Sequence, residues 1–192
     1  MVTAMPDHMT FFTGARQGAL GPFLAAVILA AAFEGCAASS AATSPSVDRV
    51  LPADMDRLLG AAWHGTLTYL DYKSHKPVSL RTTLLVSRLP GDPPKWEERL
   101  GYDDEPKANR ATTLTLSADG RQLDGEAVLS REALADGTVR AVTEGDGEDD
   151  NKPVRFRHIY LLGAKQSSLK KLVRFAGAQE FFERNVYEWK RE

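Results

Sequence analysis

From Trp63 to the C-terminus the chain repeats apolar and polar residues with a period of two and interrupts that pattern at short intervals with Gly, Pro, Asn and Asp. In Trp63-His64-Gly65-Thr66-Leu67-Thr68-Tyr69-Leu70-Asp71, the residues Trp63, Gly65, Leu67, Tyr69 and Asp71 share one face, and His64, Thr66, Thr68 and Leu70 the other. A period of two is the side-chain repeat of an extended strand, and the Thr, Tyr and Leu content fits a half-buried pleated surface. Further strands are expected over Val78–Leu89, Lys95–Asp103, Ala111–Ser117, Arg121–Arg131, Thr138–Gly145, Pro153–Leu162, Ser168–Gly177 and Arg184–Arg191, which brings the expected total to about nine.

The connections decide how these strands pair. Asp119-Gly120 and Asp136-Gly137 stand between alternating runs, where both residues accept the positive φ of a tight hairpin turn. Ser74–Pro77, Gly91–Pro94 and Gly147–Pro153 are also short connections. Short turns force antiparallel neighbours, and no helix-length segment is left for a parallel crossover. A meander of about eight to ten strands removes its exposed edges by closing, so the expected fold is all-β, a single antiparallel up-and-down β-barrel. A two-sheet β-sandwich is the alternative. Lys, Arg and Glu on both faces of several strands leave no continuous lipid-facing band, which argues against a barrel that spans a membrane. Ahead of the barrel, Pro52 in a first-turn position and Met55, Leu58, Leu59 and Ala62 at helical spacing predict one short helix ending near Trp63.

The N-terminal part has a different character. Phe23 to Ala32 is an uncharged, Ala-rich run of signal-peptide length, shorter than the ~20 residues a spanning helix needs. Gly35-Cys36-Ala37 follows it and resembles the bacterial lipoprotein signal, in which a small residue precedes a cysteine that becomes the lipidated N-terminus. Phe33 and Glu34 depart from that signal's usual Leu and small residue. The resemblance implies cleavage before Cys36, lipidation of that residue and residence in the cell envelope, facing the periplasm. The alternatives are an ordinary cleaved signal leading to a soluble secreted or periplasmic protein, or an uncleaved anchor. Ala37 to Ser46 is Ala/Ser/Thr-rich without apolar periodicity and reads as a tether. The expected organisation is a signal peptide over 1–35, a flexible tether over 36–51 and a barrel domain over 52–192.

Lys and Arg number 24 against 26 Asp and Glu, and the basic residues are scattered, so no nucleic-acid partner is expected. Cys36 is the only cysteine, which excludes an internal disulfide and a cysteine-rich metal site. A monomer without cofactor or bound metal is expected.

In layout, Leu58 to Arg191 resembles the lipocalin-like and fatty-acid-binding-like barrels: a short N-terminal helix, Trp63 at the start of the first strand, a meander, and a closing strand rich in aromatic and Arg residues. Where lipocalins carry Gly-x-Trp, this chain reads Trp63-His64-Gly65, so no binding residue carries over. The resemblance implies a barrel that either holds a small hydrophobic ligand or is filled by its own side chains.

The candidate ligand-binding residues come from strand faces. Arg155-Phe156-Arg157-His158-Ile159-Tyr160 alternates Arg with Phe156, His158 and Tyr160. Turned inward, that second face presents aromatic rings and a titratable group to an amphiphilic ligand. Trp63 and Tyr69 on the first strand complete the set. No catalytic residue emerges: Asp103, Asp104 and Glu105 are neighbours that point to opposite faces, and Ser167 and Ser168 match a Ser-x-x-Lys spacing without the helix that chemistry needs. Glu144, Asp146, Glu148, Asp149 and Asp150 read as a solvated hairpin tip. Three functions follow: an envelope lipoprotein that binds a small amphiphile; a structural or interaction lipoprotein with a filled barrel; or a small envelope enzyme with His158 and Tyr160 converging on one pocket.

Overall fold

A computed structural model of the protein describes residues 49–191. The signal segment, Cys36 and most of the tether lie outside those residues. The chain enters through Val50, which is fully buried and donates its N–H to the Gly120 carbonyl at 2.9 Å. One helical turn, α1 (Pro52–Met55), runs into a single 3-10 turn (Asp56–Leu58). Ten strands follow: β1 (Trp63–Asp71), β2 (Lys76–Leu89), β3 (Lys95–Tyr102), β4 (Arg110–Thr115), β5 (Gln122–Leu123), β6 (Glu126–Ala133), β7 (Val139–Asp149), β8 (Lys152–Leu162), β9 (Gln166–Phe175) and β10 (Phe182–Lys190).

Every ladder is antiparallel between chain neighbours, except that the last strand returns to the first, with His64 opposite Lys190 and Tyr69 opposite Asn185. The fold is therefore an up-and-down barrel rather than a sandwich. Its remaining seam, between β4 and β5, is held by the bridge Leu116–Leu123 and by bonds from Ser117 N to Gln122 O (2.9 Å) and Asp124 N to Thr115 O (2.7 Å). The barrel is thus nearly closed.

Two expected boundaries change. The single strand expected over Arg121–Arg131 is two, because Asp124 (φ 53°) and Gly125 (φ 81°) form a third Asp-Gly hairpin turn inside it. The expected acidic tip is shorter: the β7–β8 ladder runs on to Asp149 opposite Lys152, and only Asp150 (φ 52°) and Asn151 (φ 57°) make the turn. Glu144 and Asp149 are accordingly buried, not solvated. Glu144 lies on the outer face, where it accepts from Arg155 Nε at 3.0 Å and Arg157 Nε at 2.6 Å.

The inner face is built by the predicted alternation. On β8, Val154, Phe156, His158, Tyr160 and Leu162 are buried, with half-buried residues between them. One end of the barrel is apolar, filled by Trp63, Trp96, Leu84, Leu116 and Val139 and plugged by Met55 and Leu58 of the helical turns. A smaller cluster of Val154, Phe156 and Val173, with Phe175 and Phe182 against it, packs the other end.

Candidate ligand-binding site

The plug is pinned by charge as well as by apolar contact. Asp54 accepts two hydrogen bonds from Arg131, at 2.9 and 2.7 Å, and a third from the Leu51 N–H at 2.8 Å. Asp56 accepts from the Trp96 indole at 2.9 Å, Arg57 donates to Gly137 O at 2.9 Å, and the Trp63 indole donates to Leu58 O at 2.9 Å. These contacts hold Met55 and Leu58 as the floor of an internal cavity.

The walls of that cavity come from β2, β3, β4, β8, β9 and β10: Leu84, Glu98 and Leu100, Arg110 and Thr112, Tyr160 and Leu162, Ser167 and Leu169, and Tyr187 and Trp189. The space open to the centres of water molecules is about 40 Å³, room for about three waters. Strand register explains the convergence. Glu98 stands opposite Thr112, Leu100 opposite Arg110, Leu169 opposite Tyr160 and Tyr187, and Ser167 opposite Leu162 and Trp189, so all of them share the inner face.

Most polar groups in this lining are paired. Arg110 donates to the Tyr187 hydroxyl at 3.1 Å and stacks over the Tyr102 ring, and the Tyr102 and Tyr187 hydroxyls share a 2.8 Å bond. Burial, followed by the neighbouring Tyr187, pushes the Tyr102 phenol well above its ordinary range. The Trp189 indole donates to Thr82 at 3.1 Å. Two groups are different. Ser167 is 5% exposed, and its buried Oγ has no hydrogen-bond partner among the described residues. Glu98 is a half-buried carboxyl in the lining. Desolvation above all, and then the charge of Asp124, push its pKa up to about 7, against the lowering effect of Arg110.

A carboxyl with a pKa raised that far reduces the stability of the fold. The folded state holds the proton more tightly than the unfolded chain, whose Glu titrates near its ordinary value of 4.5. The contribution of Glu98 is therefore most favourable below about pH 4.5, worsens as pH rises towards 7, and levels off above that. Glu98→Gln keeps the shape without the charge. It is expected to stabilise the protein at pH 8 by up to about 3 kcal/mol, and to change little at pH 4.5, in urea unfolding at the two pH values. Equal effects at both would show that Glu98 ionises as freely as a surface Glu.

Beyond the cavity the interior stays polar. Glu126 accepts from Thr143 at 2.5 Å and lies 2.8 Å from His158 Nδ1. At the end away from the plug, Asp149 lies 3.4 Å from Arg184 Nε and 3.9 Å from Lys171 Nζ. Lys171 lies over the Phe156 ring, and its burial lowers its pKa. Tyr160 connects the two regions: it lines the cavity, and its phenol is pushed well up by burial and then by Glu126, Glu98 and Asp124.

Of the five residues proposed from the sequence, Tyr160 stands on the cavity wall. Phe156 and His158 lie on the same inner face further from the plug, Trp63 packs against the plug with Arg191 over its ring, and Tyr69 is buried near Arg184. Glu98, Arg110, Ser167 and Tyr187 are not among those five. A signal for them exists: in Trp96-Glu97-Glu98-Arg99-Leu100-Gly101-Tyr102 the period of two puts Glu98 on the face of Trp96, Leu100 and Tyr102. A charged residue on an otherwise apolar strand face marks an interior position worth explaining.

No protein-family model and no curated protein matches the chain. Among solved structures, it is similar to Rv2717c from M. tuberculosis at 13% identity and a TM-score of 0.51, over 73% of this chain and 96% of that one. Looser matches are a point mutant of the fluorescent protein UnaG (11% identity, 72% of this chain and 98% of that one, TM-score 0.36) and a protein of unknown function from the DUF3598 family of Nostoc punctiforme (13% identity, 79% and 53%, TM-score 0.34). At such identities the first of these speaks for the fold alone.

Proposed function

We propose that the chain is an exported envelope lipoprotein, anchored through Cys36, whose barrel binds a small amphiphile in the cavity above the plug. The observation that carries the binding reading is a mostly apolar cavity lined by Glu98 and by Ser167, whose buried Oγ has no hydrogen-bond partner among the described residues. A pocket with apolar walls and a few convergent polar groups is the usual form of a small-molecule site. An unsatisfied buried hydroxyl costs about 1–3 kcal/mol. A ligand that bonds to it recovers that loss, whereas an apolar filling does not. The anchoring reading rests on Gly35-Cys36-Ala37 after the apolar run, and on the tether that leads from it to the domain.

The modest free space favours a second reading, a filled barrel that acts as a structural or interaction lipoprotein. Native mass spectrometry of the protein purified from membranes separates the two. Loss of residues 1–35, an acylated Cys36 and a retained small molecule are the expected results. An acylated chain without any retained molecule points to the filled barrel, and a full-length, unmodified cytosolic chain removes the anchoring reading.

A further inference from the structure

The charged groups at the cavity indicate the chemistry of what binds: Glu98 and Arg110 stand in its lining, with Asp124 and Glu126 close by. Three carboxylates, Glu98 on β3, Asp124 in the β5–β6 turn and Glu126 on β6, all act on Tyr160, and Glu126 raises the cost of ionising Asp124. Arg110 on β4 lines the same cavity, where it donates to the Tyr187 hydroxyl, stacks over the Tyr102 ring and lowers the Glu98 pKa, and His158 on β8 lies against Glu126. From the other elements around Glu98, the plug contributes Met55 and Leu58, β9 contributes Ser167 and Leu169, and β10 contributes Tyr187 and Trp189. None of these brings a positive charge. Glu98 is therefore a carboxyl in the cavity lining on which Asp124 and Arg110 act in opposite directions, with Asp124 the stronger of the two.

We propose that the cavity takes the ammonium head of a small amine, with Glu98 as its counter-ion and Ser167 Oγ as a hydrogen-bond acceptor. This rests on the reading of the cavity as an amphiphile site and specifies its ligand. An ammonium supplies three donors and a positive charge, and the walls offer it the Glu98 carboxylate, the Ser167 hydroxyl, and the Tyr160 and Trp189 rings, whose faces attract cations. A carboxylate head must approach Glu98 and Asp124, and the guanidinium it would meet, Arg110, is already bonded to the Tyr187 hydroxyl. The apolar part of the ligand lies on Met55, Leu58 and Leu162. The free space matches a head with only a few carbons attached.

Seating an ammonium requires Glu98 to be ionised, so amine binding expels the proton that Glu98 holds in part near neutral pH, where its pKa is about 7. Between pH 6 and pH 8 the ionised fraction rises about tenfold, and amine affinity is expected to rise by the same factor. The test uses the full-length chain and three probes of similar size, propylammonium, propanol and propanoate, each titrated by its effect on the unfolding temperature at pH 6 and pH 8. Propylammonium is expected to bind about tenfold more tightly at pH 8 than at pH 6, with propanol unchanged. Glu98→Gln is expected to abolish that pH dependence. If propanol binds while propylammonium shows no gain with pH, or if propanoate binds more tightly than propylammonium at pH 8, the amine assignment is wrong and the amphiphile site stands. Should none of the three bind, the amphiphile site itself is overturned, and the amine assignment with it.

Discussion

Gly65→Ala is expected to prevent barrel closure. A Cβ at position 65 would lie 1.8 Å from the carbonyl oxygen of Glu188 and 2.8 Å from the Trp189 Cα, both of them backbone atoms that cannot rotate away. Gly65 stands opposite Trp189 on the ladder that joins the first strand to the last, so the two strands must part where the barrel shuts. Overpacking of a side chain typically costs about 1–3 kcal/mol. Here the obstacle is a strand backbone, and a loss of about 4 kcal/mol or more is expected, a large part of a marginal total of about 5–15 kcal/mol. In a domain of this size that lowers the unfolding temperature by more than about 12 °C. Gly101→Ala in β3 is the control, because its Cβ would meet nothing nearer than 3.8 Å. Its effect is expected to stay within about 1 kcal/mol. Thermal unfolding of both variants is the measurement, and equal midpoints would mean that β1 and β10 do not approach as described.

Asp54→Ala is expected to release the plug. Asp54 is 2% exposed and is the partner of both donating nitrogens of Arg131, 77 residues away on β6, as well as of the Leu51 N–H that opens the helical turn. Its removal leaves a half-buried guanidinium without its counter-ion and the turn without its acceptor. Breaking one side of a buried pair costs about 3–5 kcal/mol. Arg131→Leu alone is expected to be as damaging, since it strands the Asp54 carboxylate. The double variant Asp54→Ala, Arg131→Leu is expected to recover at least about 1.5 kcal/mol of the summed losses, because neither charge is then left unpaired. Urea unfolding of the four proteins closes the cycle. Strict additivity would show that the two charges do not interact. Because Met55 and Leu58 ride on the same turn, Asp54→Ala is also expected to abolish ligand binding in the cavity above them.

The strand framework was legible because it follows from local rules. An alternating run such as Trp63 to Asp71 has one way to bury its apolar face, and a two-residue Asp-Gly connection can only reverse the chain. The same rule at Asp124-Gly125 is hidden because the alternation continues on both sides of it, so that β5 and β6 look like one strand in the sequence. The acidic stretch after Thr143 shows the limit of composition as a guide. Glu144 and Asp149 lie among acidic neighbours in sequence, yet they are buried because Arg155 and Arg157 on the next strand, and Lys171 and Arg184 on more distant ones, meet them.

The all-β class, the antiparallel order, the expectation of a closed meander and the alternation that turns Phe156, His158 and Tyr160 to one side of β8 were readable from the chain alone. Each of these depends on residues within a few positions of one another. Long-range packing settles the barrel over the sandwich by joining the last strand to the first, clamps the plug to Arg131 through Asp54, and brings Glu98, Arg110, Ser167 and Tyr187 around one cavity. The β1–β10 ladder and the bonds Asp54–Arg131 and Arg110–Tyr187 join positions 77 to more than a hundred residues apart. Their energies arise from excluding water from a shared interior, which no single stretch of the chain possesses.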